Sequence, residues 1–276
     1  MSVKKSATRG LLQKDLFDAL YDTYNKKEFV HPDPLEFLFD YPDLPDREIV
    51  GIIASSLAYG RVEQILKSVS SVLNIMNRSP YLFITETSEQ SILERFAGFK
   101  HRFTTGEELA LMLIGIKQVL EKYATIKNCF VSCYHKDDKT FLKPLTFLVD
   151  QLTVKLVGGA NSLLPSPCRK SACKRLYLFL RWMIRHDHVD PGGWHDLPQS
   201  KLIIPLDVHM HRISRALGLT SRKQADMKTA VEITQGFKKI SPNDPVRYDF
   251  ALTRLGIRKD TDLAEFLNKL TGSKVA

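Results

Sequence analysis

Residues 46–59, with the sequence DREIVGIIASSLAY, are apolar around almost the whole circumference of a helix. A helix of this kind is typical of a protein interior, so the segment predicts a central helix that other elements cover on every side. Pro45 and Asp46 provide a start signal for it, and Gly60 suits its C-terminal cap. The rest of the chain must therefore supply the elements that enclose this helix.

Most other segments carry apolar residues at helical spacing, and proline, glycine or asparagine separates them. Segments that alternate between apolar and polar residues are few, so strands have little support. The sequence therefore predicts an all-α protein, either two-lobed or bundled. We expect residues 46–194 to form a central lobe, and residues 1–45 together with 195–276 to form a second. Helices are predicted at 11–24, 35–39, 62–76, 107–123, 141–157, 170–185, 223–238, 245–255 and 261–270, with shorter ones across 81–95.

Basic residues exceed acidic residues in this chain, with 40 Lys and Arg against 31 Asp and Glu and a formal net charge of +9. This balance favours a polyanionic partner such as nucleic acid. No apolar run is long enough to span a membrane, and the N-terminal stretch lacks the apolar core of a signal peptide, so we expect a cytoplasmic protein. The four cysteines are expected to remain buried thiols rather than form disulfides or bind a metal.

Asp207 follows an apolar run that ends at Pro205, and it opens an amphipathic helix. A carboxylate in the first turn meets unpaired N–H groups and the positive end of the helix dipole, which keep it ionised. An ordinary N-cap is one interpretation of Asp207, and a functional carboxylate is the other. His211, one turn later, is a candidate orienting or DNA-contacting group, with a structural role as the alternative.

The segment Cys168 to Arg185, CRKSACKRLYLFLRWMIR, contains six basic residues and no acidic residue. On a helical wheel, Lys170, Lys174, Arg181 and Arg185 fall within one narrow stripe. Solvated helix faces usually mix charges of both signs, whereas a stripe of one sign repels itself unless an anion neutralises it. The pattern therefore indicates contact with nucleic acid.

Two sets of residues resemble motifs of the helix-hairpin-helix DNA glycosylase superfamily. The first is Leu164-Pro165 followed by Arg169-Lys170-Ser171-Ala172, and the second is Pro205-Leu206-Asp207-Val208-His209 with Arg212. In those enzymes a Leu-Pro hairpin precedes a catalytic lysine, and an aspartate starts a later helix. Residues 49–59 also resemble the segment that precedes the residue those enzymes wedge into DNA. The chain as a whole is similar to a bacterial family catalogued as a domain of unknown function, close to the archaeal 8-oxoguanine glycosylases.

This resemblance implies a two-lobed glycosylase fold and base-excision repair of double-stranded DNA, with 8-oxoguanine as the leading substrate. A lysine would displace the flipped base and allow strand cleavage, while Asp207 stabilises positive charge on the sugar. Lys170 matches the motif literally. Lys174 lies one turn deeper in the predicted helix, where we expect less solvent, so it is our first candidate for the nucleophile.

The resemblance also implies a DNA-binding surface and a base pocket, formed by a monomer without cofactors. Candidate DNA contacts are Arg169, Arg175, Arg181, Arg185, His211 and Arg212. Candidate pocket or wedge residues are Leu57, Tyr59, Tyr177, Trp182 and Trp194, and for the four aromatic residues a place in the core is the alternative. The chain departs from the family in two places: Ser166-Pro167-Cys168 replaces the hairpin glycines, and no cysteine follows Cys173, so no iron–sulfur cluster is expected.

Two alternatives remain open from the sequence. The first is a nucleic-acid-binding protein on the same fold that lacks catalysis. The second is a metal-dependent hydrolase, for which the candidate ligands are His186, Asp187, His188, Asp190, His195, Asp207 and His211. Within the helix that Asp207 opens, however, His209 points away from both Asp207 and His211, which weakens the metal hypothesis.

Overall fold

The segment predicted as the central helix forms helix α2, Leu44–Ser56, in a computed structural model of the chain. The structure describes residues 14–153, 162–169, 171–257, 265, 266, 268 and 270. Every residue from Glu48 to Ser56 is buried, which confirms the prediction of a central helix. The helix ends at Ser56, before the predicted end at Tyr59, because the Tyr59 N–H bonds to the Leu57 carbonyl 2.7 Å away.

Helices make up most of the described chain, which confirms the all-α fold class. In chain order they are α1 at residues 14–24, α2, α3 Val62–Met76, α4 Pro80–Glu86, α5 Glu89–Phe96, α6 Gly106–Tyr123, α7 Ile126–Val131, α8 Leu142–Leu152, α9 Lys174–Ile184, α10 Val208–Ala216, α11 Met227–Lys238 and α12 Asp249–Ile257. Short 3-10 helices cover Lys27–Phe29, Pro34–Asp40, Pro167–Arg169 and Gln199–Lys201. A small antiparallel hairpin pairs β1, Lys100–His101, with β2, Thr104–Thr105.

Helix α2 packs against α9 and against the 3-10 helix Pro34–Asp40, while α6 packs against α5 and α8, and α10 against α12. Gly51 of α2 lies so close to Phe179 of α9 that an added Cβ would be 3.1 Å from its ring. Buried apolar side chains from these helices belong to one continuous core. The division into lobes at 46–194 and at 1–45 with 195–276 stays a prediction.

Side chains cap several of the helix starts. Thr105 caps α6 by accepting from the Glu108 N–H, and Asp207 caps α10. The basic helix starts later than predicted, since α9 begins at Lys174 rather than at residue 170. Cys173 has a left-handed backbone with φ of 46°, which interrupts the helix before that point. Most of the helix predicted at 261–270 lies outside the described residues.

No helix in the described ranges is long and apolar enough to cross a bilayer. The four cysteines are free thiols. Cys129 and Cys173 are buried, but the expectation of burial is wrong for Cys168, which is exposed, and Cys133 is only half-buried.

Candidate functional site

Lys174 and Asp207 meet where the N-terminal ends of α9 and α10 come together. The Lys174 Nζ lies 2.9 Å from the Asp207 Oδ2, although the two residues are far apart in the sequence. The side chain of Lys174 is 36% exposed and that of Asp207 is 20% exposed, so the pair is partly shielded and still reachable from solvent. The structure thus brings the first candidate amine to the candidate carboxylate. Lys170 lies outside the described residues.

The prediction that Lys174 lies one turn inside its helix is wrong. It is the first residue of α9, directly after the left-handed Cys173. This position places the Lys174 side chain at the helix end that faces Asp207, where it is 36% exposed. The proximity of the two groups therefore comes from the helix start.

Asp207 is held as a carboxylate by its surroundings. Burial raises its pKa, but the Lys174 ammonium and the Met210 N–H, 2.8 Å from Oδ1, outweigh that effect, so the pKa lies below its ordinary value. Positive charge on His209 acts in the same direction. Asp207 is therefore ionised at neutral pH and can stabilise a cation next to it.

The pair lies at a cavity of about 100 Å³. Several segments build its wall, and the lining residues are Asp33, Pro34, Ala58, Ile65, Lys174, Leu178, Arg181, Pro205, Asp207, Asp249, Phe250 and Thr253. A water molecule occupies roughly 30 Å³ in the liquid, and ordinary small-molecule pockets hold about 300 Å³ or more. In this conformation the cavity has room for a few waters, and a larger ligand requires it to widen.

Asp249 adds a third carboxyl to the cavity, beside Asp33 and Asp207, and the sequence analysis missed it. Burial raises the pKa of Asp249 to about 6, although Arg181, which donates to it, acts in the opposite direction. The surroundings therefore shift the pKa values of two of these carboxyls in opposite directions, lowering that of Asp207 and raising that of Asp249. The sequence feature that could have pointed to Asp249 is its position directly before an apolar run, at the start of α12.

Arg181 and Arg185 do not face solvent, so the prediction that they contact DNA is wrong. Each is 3% exposed. Arg181 Nε donates to Asp190 Oδ1 at 3.1 Å, and Arg185 Nε donates to Asp244 Oδ2 at 2.9 Å. Asp190 is wholly buried and also accepts from Arg185. Carboxylates of the protein thus neutralise Arg181 and Arg185, where we had expected an external anion.

Arg175 has a packing role in this structure. Its Nη1 donates to the Ser56 carbonyl at 2.6 Å, and its Nη2 donates to the Ser162 carbonyl at 2.5 Å. Burial lowers its pKa. The guanidinium therefore ties α9 to the last turn of α2, and the predicted DNA contact of Arg175 finds no support.

Residues 33–258 match the model of a family described as a protein of unknown function (DUF2400). The chain belongs to the DUF2400 family. The match covers α2 to α12 and includes every residue that lines the cavity. No curated protein and no solved structure matches the chain.

The remaining basic candidates of this DUF2400 protein divide into two groups. Arg169 and Arg212 are exposed, so a DNA contact by either stays a prediction. The His211 Nε2 lies 2.9 Å from the Arg222 carbonyl, in a partly buried position. This contact favours the structural role for His211 that the sequence left open.

Most of the predicted pocket and wedge residues are inaccessible in the DUF2400 fold. Leu57, Tyr177, Trp182 and Trp194 are each 0% exposed. A side chain with no exposed surface can neither stack on a base nor wedge into DNA, so the prediction is wrong for these four residues. Tyr59 is the exception, because its ring is only half-buried.

The described ranges hold no group of three His, Cys, Asp or Glu side chains that could bind a metal ion. Asp187 and Asp190, two of the proposed ligands, are bonded to Arg185. His186 Nδ1 lies 3.0 Å from the Pro191 carbonyl. The arrangement of these residues in the DUF2400 chain therefore gives no support to a metal-dependent hydrolase.

Proposed function

We propose that this DUF2400 protein is a DNA glycosylase that removes a damaged base from duplex DNA and then cleaves the strand as a lyase. The observation that carries this proposal is the contact between Lys174 and Asp207 at the edge of the cavity, 2.9 Å from Nζ to Oδ2. An amine that attacks a sugar carbon and a carboxylate that stabilises the resulting charge are the two groups this chemistry requires.

The reaction begins once the Lys174 ammonium has released a proton to solvent, so that Nζ, as the free amine, forms a bond to C1′ of the damaged nucleotide. The C1′–N bond to the base breaks, and its electron pair leaves with the base, which takes up a proton. The amine loses its protons as the C1′–O4′ bond opens, which gives an imine and a protonated O4′. Loss of a C2′ proton then expels the 3′ phosphate and cleaves the strand.

Asp207 acts mainly through its charge in this scheme. A carboxylate whose pKa is lowered by neighbouring donors is a weak base, but it remains negative at neutral pH. Positive charge that develops on the sugar ring beside it is therefore stabilised by direct attraction. The same contact orients the Lys174 amine before it loses its proton.

The positive net charge of the protein supports DNA as the substrate. The net charge of +9 favours a polyanion, and Arg169 and Arg212 remain exposed for phosphate contacts. A flipped base needs more space than the cavity of about 100 Å³ offers, so the scheme requires the cavity to widen on binding. We retain 8-oxoguanine as the leading substrate.

Borohydride trapping tests the proposal, since borohydride reduces the imine to a stable adduct. Oligonucleotides would carry 8-oxoguanine, uracil, an alkylated purine or an abasic site. We expect an adduct with the wild-type protein and with Lys170→Gln, and its loss with Lys174→Gln. Lys127→Gln is the matched control, because Lys127 also pairs with an aspartate, Asp196, at another place in the fold.

Two results would overturn the proposal. An adduct that persists in Lys174→Gln places the nucleophile elsewhere. Binding of DNA without any adduct, on every lesion of the panel, supports the alternative from the sequence, a nucleic-acid-binding protein without catalysis.

A further inference from the structure

Phe103 is an exposed aromatic residue in the turn between β1 and β2. Its side chain is 64% exposed, whereas most large apolar side chains of the described residues belong to the core. The preceding residue, Arg102, has a left-handed backbone with φ of 56°, which tightens the turn. An apolar ring on a tight turn loses little conformational freedom when it binds a partner.

The Phe103 ring continues a stack that begins at α9. It lies against the Tyr59 ring with centroids 5.0 Å apart and an angle of 27° between the planes. The Arg175 guanidinium lies over the same Tyr59 ring, 4.9 Å from its centroid. We call Arg175, Tyr59 and Phe103 the aromatic stack. Only its Phe103 member is exposed, since Arg175 and Tyr59 are half-buried.

Hydrogen bonds fix the aromatic stack to the hairpin. The Tyr59 hydroxyl donates to the His101 carbonyl at 2.9 Å and lies 2.6 Å from Thr104 Oγ1. His101 Nε2 lies 3.0 Å from the Tyr59 carbonyl, and its Nδ1 lies 2.8 Å from Ser68 Oγ. The Tyr59 ring on which Phe103 stacks is therefore held against the hairpin by hydrogen bonds.

The aromatic stack adjoins the cavity that holds Lys174 and Asp207. Ala58, which lines the cavity, directly precedes Tyr59, and Lys174 directly precedes Arg175. Two cations, Lys100 and Arg102, are exposed on the same hairpin. A flat apolar surface flanked by positive charge fits a nucleobase and its phosphates. One exposed ring is too small for a stable protein interface, which buries about 800 Å² on each partner.

We infer that, when the flipped base of a DNA duplex enters the cavity, Phe103 stacks on the unpaired base that was its partner. The choice of DNA rests on the proposed function, but the contact does not depend on attack by Lys174. When one nucleotide leaves the duplex, its former partner loses both its pairing and part of its stacking. Phe103 replaces that lost stacking, and Lys100 and Arg102 face the neighbouring phosphates.

Equilibrium binding to a duplex with 2-aminopurine opposite a tetrahydrofuran abasic analogue tests this inference, because that analogue cannot form an imine. We expect the wild-type protein to quench 2-aminopurine fluorescence and to prefer this duplex over the intact one. Phe103→Ala should weaken binding to it by roughly tenfold, the effect expected for one base–aromatic contact, and should abolish the quenching. Phe103→Trp should retain both. Leu82→Ala, which removes another exposed apolar side chain at 51% exposure, should change neither.

Equal affinity of Phe103→Ala and the wild-type protein for the abasic duplex would overturn the inference. The inference would also be wrong if Phe103→Ala quenched 2-aminopurine as the wild-type protein does, or if it lost as much affinity for the intact duplex as for the abasic one. Absence of DNA binding by the wild-type protein would overturn it as well. The two proposals can fail separately. If quenching depends on Phe103 but no borohydride adduct forms, the glycosylase proposal is wrong and the base contact by Phe103 is still supported. A thermal melt of Phe103→Ala checks that the exposed substitution leaves the fold intact.

Discussion

Asp207 combines a structural contact with an electrostatic one. Its Oδ1 accepts from the Met210 N–H, which caps α10, and its Oδ2 pairs with Lys174. Asparagine caps a helix about as well as aspartate, whereas alanine does not. Substitution can therefore separate the cap from the charge.

We expect Asp207→Ala to be less stable than Asp207→Asn by about 1 kcal/mol, because only the alanine variant loses the cap. Both variants should lose the borohydride adduct, since both remove the negative charge. Urea unfolding at pH 7 measures the first difference, and trapping measures the second. Equal stability of the two variants would contradict the capping role.

The stability contribution of the Asp207 charge should depend on pH. Its pKa is lower in the folded protein than in the unfolded chain, so the unfolded state binds a proton first as the pH falls. The contribution is thus fully present above the unfolded value of about 4 and is lost as the pH falls through the folded value. We expect the stability gap between the wild-type protein and Asp207→Asn to be smaller at pH 3 than at pH 7, as measured by urea unfolding.

The buried arginine network makes a different prediction. Asp190 is 0% exposed and bonds to both Arg181 and Arg185. Asp190→Ala leaves these two cations incompletely paired in the interior, so it should destabilise the fold by about 3–5 kcal/mol. Arg212→Ala, at an exposed position, should change stability by less than about 0.5 kcal/mol. Chemical unfolding of both variants checks this, and a similar small effect for both would contradict the burial of the network.

Single residues could be predicted from the sequence where the signal is local. The cap at Asp207 follows from its place before an amphipathic helix. Arg181 and Arg185 could not be assigned, because a helical wheel shows the charges on one helix and their partners lie on other segments. Asp249 was missed for the same reason, since its pKa is shifted by burial and not by its neighbours in sequence.

At the scale of elements, the backbones of α6 and α8 approach each other closely at Gly115. A Cβ added at Gly115 would lie 2.0 Å from the Leu152 carbonyl oxygen at the end of α8. Gly115→Ala therefore requires the two helices to separate, and we expect a loss of about 1–3 kcal/mol. Gly98→Ala is the control, because no atom lies within 4 Å of its added Cβ. Unfolding curves of the two variants measure the difference, and equal stability would contradict the close packing of α6 and α8.

Apolar periodicity predicted the position of most helices, but not the start of α9. The bridge between Ser171 and Asp226 joins segments far apart in the chain, and a left-handed Cys173 follows it. Neither the bridge nor the left-handed residue can be recognised from the spacing of apolar residues. Helix α7 was also missed, since its six residues are too few to establish a helical period.

At the scale of the whole molecule, the positive surplus should govern DNA affinity through counterion release. Because Arg181 and Arg185 are buried, the proposed function requires exposed residues such as Arg212 for its phosphate contacts. Arg212→Ala should lower the slope of log affinity against log salt by about one. Arg95→Ala, an exposed position on α5, should leave the slope unchanged. Titrations at several salt concentrations measure both slopes, and an unchanged slope for Arg212→Ala would remove Arg212 from the interface.

The cavity itself could not be derived from the sequence. Its lining comes from segments as distant as Asp33 and Thr253, and their meeting depends on how α2, α9, α10 and α12 pack together. The resemblance to glycosylase motifs brought Lys174 and Asp207 into consideration, and the fold places them in contact. The size of the cavity and the burial of the aromatic residues required the structure.

The most direct test of the central claim is the identity of the residue that carries the sugar after trapping. The adduct of the wild-type protein would be digested with protease and nuclease, and the modified peptide sequenced by mass spectrometry. We predict that the reduced sugar remnant is attached to Lys174. A remnant on any other residue, or no adduct on any of the lesions, would contradict the account.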